Sequence, residues 1–443
     1  MNRHEHRFVI LGAGLTGLSA AARLDDLGER DYLIVEREDR PGGWAKTDFT
    51  GAYGADRAGH VLYFRDEDTR RRVEQLLDGR WIRHAKNCVV DSMGVRTPFP
   101  FHANLHGRPH DIVAECLRGL LDASDNYAKS TSPATFLEWI LDSYGPGIAR
   151  HFMVPYNTKM WTVPPELMTA DWMGGFVPPI DIRRALEGAR LRVDSSVGLN
   201  AEFFYPEMGI SALADALSSD LQGEVRYNTT ANRISPGEKL VYLDDGSIHS
   251  FESVISTIPL TRLARITNGL PPLVTEVAAS LSAVDLVLVD IGVRRPRDEG
   301  VHWAYLPDAD VLGFRLSAIH NLTDRLTPNG HGLYTVEIAH SADRPLLGSS
   351  QRRVVADLMR LGWLRSEGDI TFLQERRYGC AYALPLLGSA QAAAASRGHL
   401  EARDIHPVGR FAEWKYSNME DALLDGRAAV DRLVHGSAAV VAR

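Results

Sequence analysis

The sequence predicts an α/β protein: a Rossmann-like nucleotide-binding domain carrying a helical domain and a β-sheet domain. Three observations lead there: a glycine triplet between a strand and a helix at the N-terminus, a second strand ending on a carboxylate, and a switch from helical to strand-like patterning further along. In "FVILGAGLTGLSAAARL" a buried strand over 8–11 meets a turn and then a helix with apolar positions three and four residues apart. Gly12, Gly14 and Gly17 make G-x-G-x-x-G. The first permits a tight turn, the second lets the backbone approach a pyrophosphate, and the third lets helix and strand pack closely, so the helix N-terminus faces the anion. A second strand, "DYLIVE", ends at Glu36, where a carboxylate binds a ribose hydroxyl and disfavours a 2′-phosphate.

The whole chain bounds the rest. At 443 residues it exceeds what one core usually organises, so two or three subdomains are expected. Hydrophobic residues at 44% and charged residues at 24% are the balance of a soluble globular protein. With 49 Lys plus Arg against 57 Asp plus Glu and no basic stripe, neither nucleic acid nor an anionic membrane is an expected partner. Cys88, Cys116 and Cys380 form no CxxC pair, which argues against a disulfide framework or a cysteine metal site and fits a reducing cytoplasm. The basic-then-apolar N-terminus is better explained by its glycines than by a signal peptide. No apolar run reaches the roughly 18 residues of a membrane span.

Between His106 and about Leu191 the pattern is helical, with one helix expected from Ser132 as N-cap and Pro133 in its first turn, and Phe136, Trp139, Ile140 and Tyr144 as its apolar stripe. Within this region "FMVPYNTKMWTVPPELM" is too aromatic for a solvated loop and too rich in proline for a single helix. "GEVRYNTTANRISPGEKLVYLDDGSIHSFESVISTIPL" reads as short strands with a "DDG" turn that complete the nucleotide-binding domain. A second β-rich stretch starts at Asp285, and a helix over 351–361 follows. There is no internal repeat. His102, His106 and His110 have helical spacing, yet Gly107 and Pro109 interrupt it, so no zinc or other metal site is expected. No G-x-S-x-G elbow is present.

Gly42-Gly43, in "REDRPGGWAKT", resembles the second glycine signature of FAD-dependent oxidases and their relatives, which makes flavin the implied dinucleotide. In "DRAGHVLYF", Gly59 and His60 fall where that superfamily passes the isoalloxazine; alone, His60 would read as a hydrogen-bonded core histidine. "HPVGRFAEWKYSNMEDALLDGRAAVDRL" supplies Arg410, a loop and a last helix that in this superfamily returns to the flavin. The resemblance implies a discontinuous FAD domain over 1–100, 205–275 and 405–443, a helical substrate-cleft domain over 101–204, and a β-sheet substrate domain over 276–404.

"ARHFMVPYNTKMWTVPPELMTADWMG" looks like the corresponding stretch of the UDP-galactopyranose mutase family, particularly its eukaryotic-type branch. "FPFHAN", "LNAEFFYPEMG", "HWAYLPDADVLGFRLS", "RRYGCAYALP" and "GRFAEWKYSN" extend the likeness over nearly the full chain. It implies an isomerase that interconverts pyranose and furanose forms of a nucleotide-linked hexose through an adduct at N5 of reduced FAD, with no net redox change. It assigns His60, Arg315, Tyr382 and Tyr416 to catalysis. Phe152, Tyr156, Asn157, Trp161, Phe176, Asn200, Trp303, Tyr305 and Asn418 are assigned to the sugar nucleotide, and Gly12, Gly14, Gly17, Glu36, Gly42, Gly43, Gly59 and Arg410 to the cofactor. Departing from the family, Gly175 and Phe176 stand where a Gly-Glu-Arg ending is expected, so one of two diphosphate-binding arginines is missing; Arg183, Arg184 and Arg190 are candidate replacements. Phe99 replaces a tyrosine and His102 a glutamine. The substrate is therefore expected to be UDP-galactose-like or a GDP-linked or deoxygenated relative. NAD(P)H is one candidate reductant, although no second nicotinamide fingerprint is present. The alternative is an FAD-dependent oxidoreductase of amine-oxidase or desaturase type; a non-catalytic flavoprotein is the third reading.

Overall fold

A computed structural model describes residues 3–126, 133–173, 181–192, 201–296 and 298–436. Two seven-stranded sheets organise these residues. In the first, strand Arg3–Leu11 runs parallel to Tyr32–Val35 on one side and to Ile248–Ser256 on the other. Glu224–Arg226 pairs with Tyr32–Val35, and Ile405–Pro407 with Ile248–Ser256, so distant parts of the chain complete one sheet. Strand Arg3–Leu11 is buried from Phe8 to Leu11, as an inner parallel strand must be. Helix Leu15–Asp26 follows it and packs against the last helix, Met419–His435. That contact is close: a side chain at Gly426 would meet the Thr16 carbonyl at 2.3 Å.

The second sheet is largely antiparallel. Strand Ala283–Arg294 lies between Ile370–Ala383 and His331–His340, and the order continues through Arg315–Ala318, Trp303–Tyr305, Cys88–Ser92 and Val95–Pro98. Two boundaries expected from sequence shift here. Residues 88–98 belong to this sheet rather than to the first, because Cys88–Ser92 pairs in parallel with Trp303–Tyr305. Helix Ser389–Glu401, expected with the β-sheet domain, instead buries Ala393 and Leu400 in the cluster containing Val9, Leu11 and Val254.

The helical region covers one end of the second sheet. Helix Phe136–Ile148 starts one turn later than expected: its cap is Thr135, which with Glu138 forms a capping box, while Ser132 lies outside the described residues. The aromatic stretch begins in a π-helical turn, Ala149–Met153, that passes directly into helix Val154–Trp161. Thr162, in the left-handed region at φ 64°, ends it, and the paired prolines that follow lead into the short turn Pro165–Leu167. No helix among the described residues is long and apolar enough to cross a membrane.

Candidate functional site

A cavity of about 630 Å³ runs from the first glycine turn to the second sheet. At one end Gly12, at φ 102°, turns the chain, and a side chain at Gly17 would lie 2.0 Å from the Gly12 carbonyl oxygen. Gly17 is thus a packing glycine and does not line the cavity. Gly14 does line it, and a side chain there would find only the Gly43 Cα, at 3.9 Å. No side chain caps the helix that starts at Leu15, which leaves its N-terminal amides to the cavity. The Glu36 carboxylate is fixed by the amides of Ala13 at 2.8 Å and Glu38 at 2.9 Å. Gly42 and Gly43 line the same end, with Gly42 bridged to Gly14. An uncapped helix terminus, an anchored carboxylate and glycine-lined space are what the pyrophosphate and ribose of a dinucleotide require, so the residues fit FAD.

The other end is built by register. Tyr305, Arg315 and Glu337 lie side by side on three adjacent strands. Arg315 donates from Nε (2.6 Å) and Nη2 (2.7 Å) to the two oxygens of Glu337, and Glu337 also accepts from the Gly59 amide at 3.1 Å. His60 follows on the cavity wall. Burial, then the Arg410 and Arg315 charges, push its imidazole down to about 4, so it is neutral at physiological pH; its Nδ1 lies 3.3 Å from the Ala58 carbonyl and donates to it in the matching tautomer. The Arg410 guanidinium sits over the rings of Tyr382 at 5.0 Å and Tyr416 at 5.2 Å. Burial raises the Tyr382 hydroxyl to about 12, which keeps it a hydrogen-bond donor. Trp303, Tyr305, Ser417 and Asn418 complete this end.

Several expected positions lie away from the cavity surface. Phe152, Tyr156, Asn157 and Trp161 are buried and do not line the cavity; of their stretch Met160 does. Phe152 and Tyr156 stack in series on Phe101, while Trp161 packs edge-on behind Tyr382 and Tyr416. The Asn157 side chain donates to the Met153 carbonyl of its own turn at 2.7 Å. The stretch is therefore a wall behind the site rather than its surface. Asn418 does face the cavity, but its side chain is the N-cap of the last helix, accepting from the Asp421 amide at 2.8 Å. Phe176 and Asn200 lie outside the described residues. Helix Ile182–Arg190 packs on the turn Phe101–Ala103, and none of its arginines lines the cavity. His102 lies in that turn and His110 begins a separate helix, so the three histidines do not share a face; no group able to hold a metal occurs among the described residues.

Two residues were missed. Lys159, in the aromatic stretch, places Nζ within hydrogen-bonding distance of the carbonyls of Leu306 (2.6 Å), Asp308 (2.9 Å) and Gly313 (2.7 Å), pinning the loop between Tyr305 and Arg315. Glu337 lies in the β-rich stretch that starts at Asp285, and its signal is a lone carboxylate in the otherwise uncharged run "GLYTVEIA".

Two cross-connected sheets, a glycine-lined dinucleotide end and an aromatic, guanidinium-lined far end define an FAD-binding flavoprotein. Residues 15–434 match the family of flavin containing amine oxidoreductases, and the chain belongs to that family. Among solved structures it is similar to a reduced UDP-galactopyranose mutase, at 26% identity and TM-score 0.89 over 97% of this chain and 96% of that one. It also resembles putrescine oxidase with bound putrescine (17% identity, TM-score 0.69, 98% and 100% coverage) and a fatty acid isomerase from P. acnes that produces CLA (14%, 0.66, 97% and 99%). At those identities the last two share the fold.

Proposed function

We propose that this FAD-dependent enzyme is a nucleotide-sugar mutase that interconverts pyranose and furanose forms of a nucleoside diphosphate hexose without net redox change. The observation that carries this reading is the likeness to a UDP-galactopyranose mutase along the whole chain, at TM-score 0.89 against 0.69 for putrescine oxidase. When bound and reduced, the flavin supplies an electron pair to the anomeric carbon. The protein has to hold a diphosphate while it leaves and returns, and to keep water from the opened sugar. Tyr382 and Tyr416 donate through their hydroxyls, and Arg315 and Arg410 through guanidinium N–H groups, to the diphosphate oxygens. His60, neutral, offers a ring nitrogen beside them without adding charge. Trp303 and Tyr305 provide apolar faces for the sugar or base.

With Phe176 in place of an arginine, the preferred substrate in this reading is a GDP-linked or deoxygenated hexose rather than UDP-galactose. A panel of sugar nucleotides given to dithionite-reduced enzyme without oxygen, and in parallel to oxidised enzyme in air, tests both statements. Conversion to an isomer of equal mass supports the mutase; a product two hydrogens poorer, formed only with oxygen, supports an amine-oxidase or desaturase type of reaction. Efficient use of UDP-galactopyranose, with no gain from Phe176→Arg, would end the altered-substrate idea.

A further inference from the structure

The Arg315 guanidinium is not a lone cation. Both oxygens of Glu337 hold it, and Glu337 has no exposed surface, so this carboxylate cannot itself touch a substrate or the cofactor. The contact is imposed by strand register, since Arg315 stands directly opposite Glu337 and directly opposite Tyr305 on its other side. The same Glu337 oxygen that accepts from Arg315 Nε accepts the Gly59 amide, tying the loop that carries His60 to the second sheet. The fit leaves no slack: a side chain at Gly59 would come within 3.2 Å of the Arg315 Cζ. Arg410 is built differently. It lines the same cavity over two tyrosine rings, and its buried Nε has no hydrogen-bond partner among the described residues.

We propose that Glu337 is a positioning residue that clamps the Arg315 guanidinium and the Gly59 amide together and cancels the charge of Arg315. The end of the cavity beside His60 then faces a hydrogen-bonding but neutral pair, and the net positive charge there belongs to Arg410. Both a diphosphate and an anionic reduced flavin feel the difference, because charge in a water-poor cavity is weakly screened. The diphosphate half rests on the proposed mutase reading; the flavin half does not.

The test uses holoenzyme carrying Glu337→Gln, which keeps the shape and removes the charge, and the double variant Arg315→Met/Glu337→Gln. Two quantities are measured: the midpoint potential of bound FAD, and the Kd of UDP and GDP as probes. For Glu337→Gln the potential should shift positive and the better-binding probe should bind about fivefold tighter, with steeper salt dependence. In the double variant the potential should return toward wild type and the affinity should fall below it. A Glu337→Gln protein with wild-type potential and weaker probe binding would overturn the inference. Should that variant fail to retain FAD, Glu337→Asp keeps the charge but shortens the clamp. A wild-type potential with weakened probe binding is then expected, and a shifted potential overturns the inference. If neither probe binds any form while the potential moves as stated, the mutase reading fails and the role of Glu337 stands.

Discussion

Gly14 and Gly17, three residues apart in one motif, face opposite fates on substitution. At Gly14 φ is −75° and an added side chain would project into the cavity with its nearest protein neighbour at 3.9 Å. Gly14→Val should therefore fold but purify with little or no flavin, checked by its absorbance and by melting temperature. Gly17→Val, 2.0 Å from a carbonyl oxygen, should lose the fold itself. Arg315→Ala removes a donor from the cavity and strands the buried Glu337. Diphosphate affinity should fall by about 2–5 kcal/mol in titration calorimetry, together with a lower melting temperature. A third residue effect lies away from the site. His249 is fully buried and stacks with the rings of His4 and His6, and burial followed by the nearby Arg226 charge pushes its imidazole down to about 4. Because the folded protein keeps it neutral while the unfolded chain takes up a proton near pH 6.5, stability should fall as pH drops from about 6.5 to 4, by at most ~3 kcal/mol. Denaturant titrations across that window check this, and His249→Asn should flatten the decline.

At the scale of elements, the aromatic stretch is a brace. Helix Val154–Trp161 sets Trp161 behind two cavity tyrosines and Lys159 under the loop joining Tyr305 to Arg315. Burial draws the Lys159 amine down to about 7, against the three carbonyls that match an ammonium's three donors. Lys159→Met fills the same space but takes the ammonium donor from the Leu306 and Gly313 carbonyls, while the Asp308 carbonyl keeps the Val311 amide, so a loss of roughly 2–4 kcal/mol in unfolding free energy is expected. Weaker diphosphate binding should accompany it even though Lys159 does not line the cavity. A variant as stable and as tight-binding as wild type would show that the loop does not depend on the brace. The contrast with the glycine turn explains what the sequence reveals. Gly12 and Gly17 answer to local backbone demands, a positive φ and a close approach, and such demands are written within a few residues. Whether Trp161 faces a cavity or stands behind one depends on which strands lie next to its helix, and the pairing of Arg315 with Glu337 depends on sheet register. Neither is encoded in the stretch that carries the residue. The capping role of Asn418 is different, since Asn-x-x-Asp before the last helix is a local capping signal that the resemblance to a substrate-binding asparagine obscured.

For the whole molecule, the discontinuous build matters most. The last strand pairs with Ile248–Ser256 and the last helix packs on the first, while Arg410 and Tyr416, in the segment between that strand and that helix, line the cavity. Cofactor retention and global stability should therefore rise and fall together: bound FAD should raise the melting temperature, as any ligand specific for the folded state does. The same fold serves an oxidase and two kinds of isomerase among the similar structures, so the scaffold does not choose the reaction. What distinguishes the proposed activity is that the substrate's electrons are conserved. The most direct measurement is mass and NMR analysis of sugar nucleotides incubated with dithionite-reduced enzyme under strict anaerobiosis and, in parallel, with oxidised enzyme in air. The expected result is repeated turnover of at least one nucleoside diphosphate hexose to a ring isomer of identical mass, with no turnover by the oxidised enzyme. Oxygen-dependent turnover with loss of two hydrogens from the substrate, and no isomer in the reduced reaction, would contradict it.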